Sequence, residues 1–250
     1  MVDRNRLRQE WLALAPAWIR ECREGKNSVR AGMLDAVMLE ACGTVTGLRV
    51  LDSGCGEGRF CRMLVERGAA YVLGLDLCPP MIEAARQLQS QRDEYRVADV
   101  QDLSFLESET FDLAVSYLNH CDLPDFAANT REIFRVLKGG GRFVIANLHP
   151  MRSASGKWYR DDQGNKLHVI LDDYFDEGER HWTMLGVEFT NFHRSLSTCI
   201  NSFIETGFSL VRLIEPTVTE EQLVPYPDLD DEMRVPNFIV FVLEKPEGAR

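Results

Sequence analysis

The sequence predicts an α/β fold, a parallel sheet with helices on both faces, and three observations carry that prediction. Short apolar runs of strand length alternate with amphipathic helical stretches between residues 48 and 149. The connections between them are short. The first strand runs into a glycine-rich turn, Gly54-Cys55-Gly56-Glu57-Gly58, of the kind that leads a strand into a helix in such sheets.

The elements follow in order. Residues 3–22 place Leu7, Trp11, Leu14, Trp18 and Ile19 at helical intervals. A polar break at 24–28 precedes a second helix, with Ser28 as its expected cap, Met33, Leu34, Val37, Met38 and Leu39 as its apolar residues, and its end near Gly43. A strand at 48–52 leads through the glycine turn into a helix with Phe60, Met63, Leu64 and Val65, stopped at Gly68. A second strand spans 71–76. Pro79-Pro80 opens the next helix through Met81, Ile82, Ala84 and Ala85, as proline does at a first turn. Strands at 95–99 and 111–117, a helix near 124–137 ending at Gly139-Gly140-Gly141, and a fifth strand at 142–148 complete the alternating part.

After Pro150 the alternation stops. Residues 151–165 read as loop, and 166–175 and 181–192 as two strands around a turn at 176–179. A helix at 195–205, stopped by Gly207, and strands at 208–214 and 237–243 then resume the sheet, the last two as an antiparallel pair at its edge. The expected organisation is one domain: a helical cap (1–45), a core (46–149), a β-rich lid insertion (150–192) and a C-terminal segment that completes the sheet (193–250).

Composition narrows the function. Lys plus Arg number 28 against 39 Asp plus Glu, a net charge of −11. Such a chain is ill suited to wrapping nucleic acid or adsorbing to anionic lipid, because both surfaces are negative. No apolar run is long enough to span a bilayer, and the N-terminus mixes charges into its apolar residues, unlike a signal peptide. The seven cysteines are odd in number and form no C-x-x-C pair. That opposes a zinc knuckle or a secreted disulfide framework and fits free thiols in a reducing cytoplasm. A cytoplasmic protein with no metal, membrane or nucleic-acid partner is therefore expected.

The strand ends carry the chemistry. Glycines at alternate positions let a ligand approach the backbone, and the helix behind them offers free N–H groups and a positive dipole end. Asp76 ends the second strand 22 residues beyond Gly54, where a carboxylate can accept both hydroxyls of a ribose. Asp99, followed by Val100, ends the third, where a carboxylate can accept from an adenine amino group beside a backbone N–H. The dinucleotide fingerprint G-x-G-x-x-G is not met: Arg59 stands where its last glycine belongs, and Gly58 comes one position early. The run is D-x-G-x-G-x-G, opened by Asp52.

Residues 50–60 (VLDSGCGEGRF), 74–85 (GLDLCPPMIEAA), 97–100 (VADV), 111–117 (FDLAVSY) and 135–145 (RVLKGGGRFVI) resemble, in order and spacing, the successive motifs of class I S-adenosylmethionine-dependent methyltransferases. The resemblance covers 48–149 and resumes at 193–245; Ser53 departs from the aliphatic residue the family prefers before its first glycine. It implies a Rossmann-like, doubly wound seven-stranded sheet with a reversed last strand, and S-adenosylmethionine as cofactor with S-adenosylhomocysteine as product. It implies further that Gly54, Gly56 and Gly58 border the amino-acid part of the cofactor, with Asp52 holding its environment. Asp76 would take the ribose hydroxyls, Leu77 and Met81 would pack near the adenine, and Asp99 and Val100 would read its edge. Tyr117 would lie near the methionine part. Arg30 resembles an N-terminal arginine that pairs with the cofactor carboxylate in some small-molecule members, a role a two-pronged guanidinium suits.

Methyl transfer from a sulfonium is an in-line displacement, and a base is needed when the acceptor arrives protonated. The candidates are Asn119, His120 and Asp122 after the fourth strand and Asn147 and His149 after the fifth, with His120 and His149 as bases. Trp158, Tyr159, Tyr174, Phe175, Trp182, Phe189 and Phe192 in the insertion are candidates to enclose a substrate, and the acidic residues 172–173 and 228–232 to favour a cationic one. The leading expectation is a methyltransferase acting on an oxygen or nitrogen of a small-molecule acceptor. An NAD-type oxidoreductase, a non-catalytic nucleoside-binding module, and a nucleic-acid or protein methyltransferase are the alternatives. The oligomeric state is open.

Overall fold

The computed structural model describes residues 3–154 and 157–249. Helix α1 (Arg4–Glu24) is followed by a wide π-type turn at Arg30–Leu34 and α2 (Asp35–Cys42). The core alternates β1 (Arg49–Ser53), α3 (Arg59–Glu66), β2 (Tyr71–Asp76), α4 (Pro79–Arg86), β3 (Asp93–Val97), β4 (Phe111–Tyr117), α5 (Phe126–Val136) and β5 (Leu137–Leu148). Then come α6 (Pro150–Ala154), β6 (Lys157–Arg160), β7 (Lys166–Ile170), β8 (Gly178–Met184) and β9 (Val187–His193). The chain ends with α7 (Leu196–Thr206), β10 (Ser209–Ile214), α8 (Glu220–Leu223) and β11 (Phe238–Glu244).

Seven strands form one sheet in the order β10-β11-β5-β4-β1-β2-β3. β1 to β5 run parallel, and β11 lies antiparallel to both of its neighbours, so the last strand is reversed, as expected. Successive residues of a strand face opposite sides, and here both sides are dry. Val50, Val72, Val115 and Val144 pack with α2, α3 and α4 on one face. Leu51, Leu73, Ala114 and Ile145 pack with α5 and α7 on the other. The chain winds outward from β1 through β2 to β3, then crosses back to β4 beside β1. That reversal opens a crevice at the carboxyl ends of β1 and β4, the usual ligand position in such sheets.

Three local expectations are corrected. The second helix is capped by Asn27, whose Oδ1 accepts the Arg30 N–H at 3.0 Å, while the Ser28 hydroxyl donates to Asp228 instead. The glycines at 139–141 do not stop α5; they lie inside β5, which starts directly after Val136. A side chain at Gly139 or Gly140 would run into Glu247, and one at Gly141 into the Lys138 carbonyl. The lid holds two hairpins, β6–β7 and β8–β9, in place of one strand pair. Its second turn falls at Leu185-Gly186, both with positive φ (51° and 77°), the conformation a two-residue hairpin loop requires. Leucine gives no sequence signal for that conformation, so 181–192 read as one continuous strand.

Candidate functional site

The crevice at the switch point is a cavity of about 290 Å³. Its floor is the carboxyl edge of the sheet, and α1 forms a wall through Arg4, Leu7, Arg8 and Trp11. Helix α1 is fixed there by the lid: the Arg6 guanidinium pairs with Glu179 at 2.6 Å, and Glu10 accepts the Thr190 N–H at 2.9 Å. The seven-residue spacing of Trp11 and Trp18 signals a buried stripe but not that the stripe lines a cavity.

The glycine loop is held by β2. The Gly54 and Cys55 N–H groups both donate to the Leu75 carbonyl, at 2.8 and 2.9 Å. Gly54 has a φ of 83°, and a Cβ there would stand 2.2 Å from Cγ of Asn119, whose side chain covers it. The Gly56 N–H donates to Asp76 Oδ2 at 2.9 Å, and the Cys78 N–H to Asp76 Oδ1 at 2.8 Å. Asp76 therefore staples the loop to the start of α4 while lining the cavity. Burial raises its pKa, and the two N–H groups oppose that rise. Gly58 is corrected: it caps α3 behind the cavity and does not line it. Its φ is 80°, and a Cβ would strike the Tyr95 ring at 2.6 Å.

Arg30 lines the cavity between two rings, its guanidinium carbon 5.0 Å from the Trp18 centroid and 4.7 Å from that of Tyr117. Its buried Nε has no hydrogen-bond partner among the described residues. A stacked cation with an orphaned donor in a cavity is a fit for a carboxylate. The Tyr117 hydroxyl donates to Asp35 Oδ1 at 2.9 Å, and its ring meets Phe60 edge-on. Asp35 also takes both guanidinium nitrogens of Arg59, one at 3.0 Å. The residue that breaks the dinucleotide fingerprint thus anchors the helical cap to α3.

Leu77, Met81, Asp99 and Val100 line the cavity as well. Asp99 Oδ1 accepts from the Gln101 N–H at 2.9 Å, and its other oxygen lies 3.5 Å from Arg4. Asp52 lies beneath the loop, 1% exposed; the Cys61 thiol donates to Oδ2 at 3.1 Å and Oδ1 has no partner among the described residues. Burial pushes its pKa up to about 7. Ser53 gains a reason: its hydroxyl accepts from Asn129 Nδ2, which also donates to the Val100 carbonyl and so ties two strand ends together.

The histidines are corrected. Neither lines the cavity. His120 is enclosed by Phe126, Phe143 and Phe203. Because the Asn129 amide donates elsewhere, its Oδ1 must accept, so His120 Nε2 donates to it, at 2.9 Å. Burial pushes this ring's pKa down to about 4, a neutral structural histidine. His149, just before α6 and not lining the cavity, accepts the Met151 N–H on Nδ1 at 3.1 Å, and its Nε2 lies 3.2 Å from Glu215, which follows β10. Asn147 is likewise outside, whereas Asn119 and Asp122 line it. None of the seven lid aromatics does; Phe175, for example, is 88% exposed. The acidic run at 228–232 is engaged with the protein itself: Lys166 pairs with Asp230 and Asp231, and Trp158 Nε1 donates to Asp231 at 2.9 Å.

These buried acids set a pH dependence. Asp52 and Glu232 are pushed to about 7 and Asp122 to about 8, chiefly by burial. An unfolded carboxyl releases its proton near pH 4. Between these values the folded chain binds more protons than the unfolded one, so stability falls as pH rises. The depressed His120 acts oppositely, but only below about pH 6.5. The melting temperature of the ligand-free protein is expected to fall from pH 6.5 to 8. A flat or rising melting temperature across that window contradicts these assignments.

A family described as "Methyltransferase domain" matches residues 51–145. Among solved structures, an S-adenosylmethionine-dependent methyltransferase from Mesorhizobium loti is 33% identical, covering 84% of this chain and 96% of its own, with a TM-score of 0.75. A Listeria monocytogenes protein assigned to the same class is 31% identical, covering 87% and 98%, with a TM-score of 0.78. A ubiquinone biosynthesis O-methyltransferase from Neisseria meningitidis is 29% identical over 140 residues, 54% of this chain and 59% of that protein. The chain thus spans little more than half the length of that curated O-methyltransferase.

Proposed function

From its membership of the S-adenosylmethionine-dependent methyltransferases, which the near full-length likeness to two such chains shows, we propose that this chain moves the cofactor's methyl group to an oxygen or nitrogen of a small molecule. The observation that carries the reading is one cavity that gathers the glycine loop, the strand-end carboxylates Asp76 and Asp99, and the stacked Arg30 with its orphaned Nε. The bound cofactor supplies an electrophilic methyl group on a sulfonium.

In this reading Arg30 holds the cofactor's carboxylate, Asp76 the ribose hydroxyls, and Asp99 with the Val100 backbone the adenine edge. Gly54 and Gly56 let the cofactor approach the loop, and Leu77 and Met81 flank the adenine. Tyr117 keeps Arg30 stacked and Asp35 in place. The chain's part in the reaction is mainly alignment. Two features support a small acceptor: α1, braced from outside by β9, walls the cavity, and O-methyltransferases are among the relatives. The net charge of −11 disfavours a nucleic-acid acceptor, and no described helix is long and apolar enough to cross a membrane.

Calorimetry with S-adenosylmethionine, S-adenosylhomocysteine and NAD tests the cofactor site. Micromolar binding of the first two and none of NAD is expected; binding of NAD alone would overturn the reading. Transfer of labelled methyl to a panel of hydroxyl and amine metabolites then identifies the acceptor.

A further inference from the structure

We propose that Asp122 faces the transferring methyl group: it gives up a proton when a sulfonium enters the cavity and receives the acceptor's proton during transfer. The inference rests on the cofactor assignment above. In S-adenosylmethionine the sulfonium joins the ribose to the methionyl chain, so it must lie between the groups held by Asp76 and Arg30. Asp122 lines the same cavity and is within electrostatic reach of both, repelled by Asp76 and attracted by Arg30. It sits on the short helical turn His120–Asp122 directly after β4, reached through Leu118, whose φ of 57° is strained for a leucine.

Its hydrogen bonds leave one oxygen for a ligand. Asn191 Nδ2 and the Cys121 thiol both donate to Oδ1, and Oδ2 has no partner among the described residues. Asn191 comes from β9, so the lid contributes an uncharged donor that fixes the carboxyl. The other charged groups are accounted for. The Arg194 guanidinium is occupied by the carbonyls of His120, Leu123 and Pro124 under the turn. Arg4, Arg8, Asp52, Glu57, Arg59 and Asp99 line the wider cavity. Burial, aided by the charge of Asp76 and opposed by its hydrogen bonds and by Arg30, pushes the Asp122 pKa to about 8, so at neutral pH the group is mostly protonated. An incoming sulfonium favours the ionised form.

The step balances. The acceptor heteroatom bonds to the methyl carbon, the carbon–sulfur bond breaks with its electron pair left on sulfur, and the acceptor's proton passes to the Asp122 carboxylate. The site then holds a neutral thioether beside a neutral acid, the state in which the cycle began. The same group thereby favours the charged cofactor over the neutral product.

The test needs no acceptor. Binding of S-adenosylmethionine and of S-adenosylhomocysteine is measured calorimetrically at pH 7 in phosphate and in Tris, whose ionisation enthalpies differ. The wild-type chain is expected to release most of one proton with the first ligand and little with the second. Asp122→Asn, which keeps an oxygen for Asn191, is expected to abolish the release and to narrow the preference between the two ligands. Equal release with both ligands overturns the proposal, as does release that survives in Asp122→Asn, which Asp52 would then supply. Failure of both ligands to bind overturns the cofactor assignment, and the proposal with it.

Discussion

Asp76→Ala is expected to weaken S-adenosylmethionine binding by about 3 kcal/mol, roughly a hundredfold in Kd. Two losses combine. A carboxylate that accepts the ribose hydroxyls disappears, and so does the staple that holds the Gly56 and Cys78 N–H groups. Each carboxylate oxygen can accept more than one hydrogen bond, so the backbone bonds leave capacity for a ligand. Asp76→Asn is expected to fall between wild type and alanine, because the amide still accepts one N–H but turns a donor toward the other. Calorimetry on the three proteins checks the order, and unchanged affinity in the alanine variant removes Asp76 from the site.

Arg59→Met is expected to destabilise the fold by about 3 kcal/mol. The change leaves Asp35, whose side chain is 11% exposed, with the Tyr117 hydroxyl as its remaining side-chain partner. A carboxylate enclosed without its cation costs far more than a surface ion pair is worth. Adding Asp35→Asn to Arg59→Met is expected to recover part of the loss, because the enclosed charge is then gone. Urea denaturation of both variants measures this. Equal stability of wild type and Arg59→Met would show that the pair is solvated after all.

Much of the candidate cofactor site was legible in the residues. The glycine turn and Asp76 are tied to strand ends, which follow from apolar runs that stop at a polar residue; Asp99, expected to end a strand at 95–99, instead follows β3, Asp93–Val97, by two residues. Arg30 was legible only through resemblance, since its stacking partners Trp18 and Tyr117 lie 12 and 87 residues away. The acceptor half read less well. His120 and His149 were named for their chemistry, but a residue type says nothing about which side of a turn it faces. The fold sent His120 into a phenylalanine cluster and left Asp122, two residues on, at the cavity. Lid aromatics and the acidic run at 228–232 were illegible for a related reason: both residue types serve packing within the lid or pairing with it as well as holding a substrate.

The sequence by itself determined the α/β alternation, the order of the elements, the reversed edge and the strand-end carboxylates, because these follow from local periodicity and from where apolar runs stop. Tertiary structure alone decided that α1 walls the cavity, that Arg59 closes on Asp35, that the lid is two hairpins, and which of the three polar residues after β4 line the cavity. Those outcomes depend on contacts between segments far apart in the chain and on the solvent each side chain loses, and no local pattern encodes either.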